Sequence, residues 1–189
     1  SEYKIFVAEV ASTVNEALLM KYMLGNTDNK TEKAYLLNHY LESFRGTLFR
    51  QVMFAEFEKI IHEKAEAGQA LTCQTLCDIY HELNEKYFGD EIVIDRDIDM
   101  EWSRIPHFYS SFYVYKYATG FSAAVSLSQQ ILNEGRPAVE RYIDFLKSGG
   151  SDYPLELLKK AGVDLSTPKP VEDAMVVFKE TLDEMEKLI

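Results

Sequence analysis

Apolar positions recur every three or four residues along most of the chain, and that spacing lays out a succession of amphipathic helices. Across residues 6–24, Val7, Val10, Val14 and Leu18 follow helical spacing, and Gly25-Asn26 supplies a stop. Asn29 with Glu32 has the form of a capping box, after which Leu36, Leu37, Tyr40, Phe44, Leu48, Phe54, Phe57 and Ile61 hold one long periodic stretch. Gly46 is placed to bend that stretch and Gly68 to end it. Thr72 can cap a third helix through Leu76, Ile79, Tyr80, Leu83 and Tyr87, closed by Gly89-Asp90. Ile92, Ile94, Ile98 and Met100 then alternate with Asp95, Asp97, Asp99 and Glu101, which predicts a short strand or extended loop near residues 92–101.

Pro106 bars a helix across Ile105, so the next helix is expected from about residue 108 to Gly135. Pro137 and Pro154 take first-turn positions of two short helices, 138–147 and 155–161, with Ser148-Gly149-Gly150 between them. A last helix starts at Pro170 and carries Val171, Ala174, Val177, Phe178, Leu182 and Met185 on one face. No repeat or low-complexity segment interrupts this plan. The pattern predicts an all-α multi-helix bundle, in one helical domain, with at most a trace of strand.

Charge narrows the possible partners. The 189 residues carry 20 Lys and Arg against 31 Asp and Glu, a net charge of -11. A polyanion would be repelled and a cationic peptide attracted, and no run of Lys and Arg forms a local basic stripe, so nucleic acid is not an expected partner. No window reaches the roughly 20 apolar residues that would span a bilayer, so no membrane partner is expected either. Cys73 and Cys77 are the only cysteines, and a disulfide across successive helical turns is awkward. They read as reduced, packed thiols. With no charged-then-apolar leader in Ser1-Glu2-Tyr3-Lys4-Ile5-Phe6, the expectation is a cytoplasmic protein. The chain enters its first helix without a leading cap, as though it began inside a domain.

Two constellations could carry chemistry. In Phe6-Val7-Ala8-Glu9-Val10-Ala11-Ser12-Thr13-Val14-Asn15-Glu16, the carboxylates of Glu9 and Glu16 project from one side of a helix together with Ser12 and Thr13. A solvated acidic stripe near a helix start would look the same. The apolar residues around Glu9 instead predict a buried carboxylate, which requires a cation or several donors.

The second constellation is Pro106-His107-Phe108-Tyr109-Ser110-Ser111-Phe112-Tyr113-Val114-Tyr115-Lys116-Tyr117-Ala118-Thr119-Gly120. If helical, it stacks Tyr109, Tyr113 and Tyr117 down one face with His107 at the head. An aromatic seam in a bundle is the plain alternative. Phenol tips on every turn suit a wet cleft that grips peptide backbone better than a dry core.

At these two places the sequence resembles oligoendopeptidase F, of the thimet oligopeptidase superfamily of zinc endopeptidases, and the resemblance extends through the acidic C-terminal helix. It implies that this is the C-terminal portion of a larger zinc peptidase catalytic domain. By that resemblance Glu9 is a zinc ligand and Glu16 supports that ligand or braces its helix. His107, Tyr113, Tyr115 and Tyr117 would hydrogen-bond substrate and stabilise the tetrahedral oxyanion, and Tyr109 would bind substrate. The partners implied are an oligopeptide and the upstream part of the same enzyme.

The departure from the family pattern is the absence of HExxH. His81-Glu82-Leu83-Asn84-Glu85 imitates its start but ends in Glu, and reads as an exposed polar helix face; His62-Glu63 is followed by Glu66, and His39 has no paired ligand. Two histidines one turn apart and one Glu hold zinc in that mechanism, so this chain alone is expected to be inactive. A rival expectation from a different class is a non-catalytic helical module that binds a peptide or partner helix.

Overall fold

The computed structural model describes residues 5–188, leaving aside the side chains of Ile5 and Ala8. The run Ser1-Glu2-Tyr3-Lys4, read above for a leader, lies outside the described residues. The fold is all-α, with no strand among the described residues. In order come α1 (Ile5–Ala8), α2 (Val10–Gly25), α3 (Lys30–Phe44), a π-helical segment (Arg45–Phe49), α4 (Arg50–Glu66) and α5 (Cys73–Phe88). Two 3-10 helices follow (Arg96–Arg104 and Pro106–Tyr109), then α6 (Tyr115–Glu134), α7 (Arg136–Ser148), α8 (Pro154–Ala161) and α9 (Lys169–Glu186). No helix among the described residues is long and apolar enough to cross a membrane.

Local signals explain most of the boundaries. Asn29 Oδ1 accepts the N–H groups of Thr31 and Glu32 at 2.9 and 3.3 Å, satisfying two donors at the start of α3. The return half of the capping box is rerouted, because Glu32 takes the Thr27 hydroxyl at 2.5 Å while Thr27 Oγ1 accepts the Asn29 N–H at 3.2 Å. Thr72 caps α5 through the Thr75 N–H at 3.1 Å, and Gly89, at φ 73°, ends it. Around Gly46 the long stretch widens into the π-helical segment between α3 and α4.

The alternating acidic stretch is not a strand. Asp95 accepts the Asp97 N–H at 2.9 Å and starts a 3-10 helix, whose three-residue turn eclipses positions i and i+3. Those eclipsed positions carry opposite charges, pairing Arg96 with Asp99 at 3.3 Å and Arg104 with Glu101. The loop alternative holds for residues 92–95, and from Arg96 the same alternation serves a tight helix rather than a sheet edge.

The chain divides into two compact units: one contains the residues up to 48 and those from 119 onward, the other is Phe49–Ala118. In the first, residues 121–128 of α6, Phe-Ser-Ala-Ala-Val-Ser-Leu-Ser, are buried on every side, as a central helix requires. Ala123, Ala124 and Leu127 meet Val7, Val10 and Val14 from α1 and α2, Tyr142 and Phe145 from α7, and Leu157 and Leu158 from α8. Phe44, wholly buried, sets its ring edge-on to Phe121 at 4.9 Å and tilted against Phe178 of α9 at 5.5 Å. The buried face of α9 is Pro170, Ala174, Val177 and Thr181, rotated from the predicted one, and leaves Val171 and Leu182 exposed.

In the second unit α4 and α5 pack through Met53, Phe54 and Phe57 on one side and Ile79, Tyr80 and Leu83 on the other, with Ile105 and Val114 completing the core. This unit carries the tyrosine-rich segment.

Candidate functional site

The predicted continuous helix from residue 108 does not form. Pro106 opens a 3-10 helix that ends at Tyr109, residues 110–114 turn, and α6 starts only at Tyr115. Burial decides this. Phe108 is drawn against Phe54 and Phe57, ring centroids 5.8 and 5.4 Å away, and Val114 is wholly buried. Between these two anchors Phe112 adopts φ 53°, a left-handed conformation that costs a non-glycine residue about 1 kcal/mol or more. Glu58 holds it there: this carboxylate, 2 % exposed on α4, accepts the Phe112 N–H at 2.6 Å, and the Phe112 ring lies 4.6 Å from that of His62. Glu58→Ala is expected to release the turn and to lower stability by about 1–3 kcal/mol. Urea denaturation and hydrogen exchange at the Phe112 amide would show it; an amide that stays protected would refute it.

The turn rearranges the aromatic stack. His107 lies parallel to Tyr113, centroids 5.5 Å apart, and edge-on to Tyr117 at 5.6 Å; Tyr113 and Tyr117 meet at 5.8 Å. The Tyr117 hydroxyl and His107 Nε2 share a hydrogen bond of 3.1 Å, the direction set by the imidazole tautomer. Lys116 places its ammonium 4.8 Å from the Tyr113 ring centroid, a cation–π contact. All three rings are half-buried, so their polar edges remain reachable. Tyr109, expected in the stack, is instead 87 % exposed, and Tyr115 is exposed as the first residue of α6. The arrangement offers phenol and imidazole donors on one rigid patch, suited to an oxygen that gains negative charge.

Glu9 belongs to the first unit. It interrupts the predicted first helix, standing between α1 and α2, and its carbonyl accepts the Thr13 N–H at 3.0 Å and the Ser12 hydroxyl at 2.9 Å. The expectation of a buried carboxylate is overturned, since Glu9 is exposed. Val7, Val10 and Val14 share a buried face that Glu9 does not, and Ala8 lies outside the described side chains. Glu16 is also exposed and lines a cavity of about 300 Å³ with Thr13, Met20, His39 and Tyr40. Burial in that wall pushes the Tyr40 phenol up to about 12. Glu9 fits one ligand position of a tetrahedral zinc site. The described residues hold no group of three His, Cys, Asp or Glu side chains able to complete one.

The expected exposed polar face at residues 81–85 is overturned as well. His81 and Asn84 are buried; His81 Nδ1 meets Asp99 at 2.6 Å and Asn84 donates to the Tyr80 carbonyl at 2.8 Å. Only Glu82 and Glu85 face solvent. Sequence reading also missed Glu58, although a signal existed: it stands among Phe54, Phe57 and Ile61, at spacings that face a helix core.

Comparison with known proteins covers both constellations. The description "Peptidase family M3" matches residues 1–177. Oligopeptidase PepF of Bacillus subtilis is 62% identical over 187 residues, 99% of this chain and 28% of that protein. The chromosomal oligoendopeptidase F of Lactococcus lactis is 46% identical over 188 residues, 100% of this chain and 31% of its own. The crystal structure of oligoendopeptidase-F from Enterococcus faecium superposes with a TM-score of 0.94 at 50% identity, covering 98% of this chain and 36% of that one. This chain therefore spans about a third or less of the length of these relatives. With 177 residues matched and the same helical arrangement in a solved relative, the chain belongs to peptidase family M3.

Proposed function

We propose that this chain is the C-terminal portion of the catalytic domain of a zinc metalloendopeptidase that cuts internal bonds of oligopeptides. It would supply one wall of the cleft. The names of its relatives, oligopeptidase and oligoendopeptidase, support that substrate class. The observation that carries the reading is the cluster of His107, Tyr113 and Tyr117, three half-buried rings in mutual contact with a hydrogen bond between two of them.

A zinc ion held by Glu9 and two imidazoles of an upstream HExxH would supply Lewis-acid polarisation of the scissile carbonyl. The Glu of that HExxH would take the proton of the attacking water, and this chain's own residues bind the substrate and stabilise its charge. Tyr113 and Tyr117 donate hydrogen bonds to the carbonyl oxygen as it becomes an oxyanion, and His107 fixes the Tyr117 hydroxyl. Glu58 positions Tyr113 through the turn it holds at Phe112. The exposed phenols of Tyr109 and Tyr115 grip substrate backbone further along, and Glu16 braces α2, the helix that starts immediately after Glu9. A net charge of -11 favours basic peptides, and the enzyme works in the cytoplasm with reduced thiols.

The test joins this chain to an upstream segment bearing HExxH and follows cleavage of an internally quenched peptide. Tyr117→Phe is expected to lower kcat about 100-fold with little change in KM, as for loss of one oxyanion donor. An unaltered kcat would remove Tyr117 from the mechanism, and a joined protein that binds no zinc and cuts no peptide would remove the function.

A further inference from the structure

One group of donor atoms on the chain consists wholly of sulfur and plays no part in the peptidase reading. Cys73 opens α5 and Cys77 follows a turn later, so the two thiols share a helix face. Met100, carried by the first 3-10 helix, comes over that face. Its Sδ lies 3.8 Å from Cys73 Sγ and 3.2 Å from Cys77 Sγ. Of two cysteines and six methionines, the fold gathers both cysteines and one methionine at one point.

Packing alone accounts poorly for Met100. A thioether recruited to fill a core gap would be covered, whereas Met100 stays 46 % exposed while its sulfur stands over the thiols. Cys73 is exposed and Cys77 half-buried, so the sulfur triangle opens to solvent on one side. Nearby Asp99 is already engaged by His81 and Arg96, which leaves sulfur as the chemistry on offer.

We propose that Cys73, Cys77 and Met100 form a surface site for a soft monovalent cation of the copper(I) class. Thiolate and thioether ligands together favour such a soft ion over hard cations such as magnesium or calcium. Three sulfurs about 2.3 Å from a common centre in a trigonal plane lie about 4 Å apart. The Cys73–Met100 separation of 3.8 Å matches, and the Cys77–Met100 separation of 3.2 Å needs only a small opening that a flexible methionine provides. Each thiol that coordinates gives its proton to solvent, and no electron is transferred. A Cys73–Cys77 disulfide is the competing fate of the pair, and helical geometry disfavours it.

The site has a built-in reporter, because Trp102, the single tryptophan, lies beside Cys77. The 189-residue chain is titrated without oxygen with copper(I) buffered by a chromogenic chelator, and separately with silver(I), which has the same coordination preference and no accessible redox change. One equivalent of either ion is expected to bind, to quench Trp102 emission and to protect both cysteines from alkylation. Met100→Leu should weaken copper binding at least about tenfold with an unchanged circular dichroism spectrum, and Cys73→Ser, at an exposed position, should weaken it too. Failure of the chain to take copper from the chelator would overturn the site. So would a Met100→Leu chain that holds copper as tightly as the parent, or silver bound in two independent equivalents, one per thiol.

Discussion

Glu9→Gln, introduced into this chain joined to an HExxH-bearing upstream segment, is expected to empty the zinc site and reduce peptide cleavage to background. The substitution keeps the size of the side chain and removes its charge. A neutral amide is a weak zinc ligand beside a carboxylate, so a site with two imidazoles and an amide loses its only anion. The fold should not respond, because Glu9 is exposed and serves its helix through its carbonyl, which accepts Thr13 and Ser12 and is unchanged in the variant. Surface substitutions of this kind shift stability by no more than about 0.5 kcal/mol. Zinc content by atomic emission, together with a thermal melt, separates loss of metal from loss of structure. Full zinc content in the variant would show that the ligand assignment is wrong, whatever the activity does.

Glu101→Leu is expected to destabilise the Phe49–Ala118 unit by about 3 kcal/mol. The Glu101 side chain, 4% exposed, accepts the Tyr80 hydroxyl at 2.6 Å and pairs with Arg50 at 2.5 Å and with Arg104. Leucine would leave the Tyr80 hydroxyl without its partner on a wholly buried side chain, at a cost of about 1–3 kcal/mol. It would also strip the counter-ion from Arg50, whose guanidinium lies against Phe54 with its carbon 4.9 Å from the ring centroid. Arg104, 70% exposed, returns to water and contributes little. Urea denaturation followed by Trp102 fluorescence measures the loss, and a shift below about 0.5 kcal/mol would mean that the network does not support the unit.

Acid should reveal the same network. Burial by itself would push the Glu101 carboxyl up, but the hydrogen bonds from Tyr80 and Arg50 and the charges of Arg50 and Arg104 outweigh it and hold the group below the usual carboxylate range. The unfolded chain then binds the proton more readily than the folded one, so the stabilisation is present above the ordinary carboxylate value and disappears as pH falls through the lowered one. The gap between parent and Glu101→Leu is therefore expected to be widest near neutrality and to close in acid. Burial and the Glu101 hydrogen bond push the Tyr80 phenol up, which keeps it a donor throughout.

Much of this is legible in the sequence. The end of α2, the start of α3, both ends of α5 and the starts of α7, α8 and α9 lie within a few residues of expectation, because Gly25, Asn29, Thr72, Gly89, Pro137, Pro154 and Pro170 act on their own neighbours. The grouping of His107 with Tyr113 and Tyr117 was legible in outline. Its geometry was not, since the left-handed turn at Phe112 depends on Glu58, 54 residues away in sequence.

By itself, the sequence determined the helical class, most helix ends, the unbalanced acidic charge and the two segments to which the proposed chemistry is assigned. Each of these rests on residues a few positions apart. Tertiary structure alone decided that Glu9 faces solvent, that His81 is buried against Asp99, that Tyr109 leaves the stack, and that Met100 stands over two thiols. These outcomes depend on which distant side chain arrives to satisfy a buried polar group or fill a gap, and local periodicity holds no record of that partner.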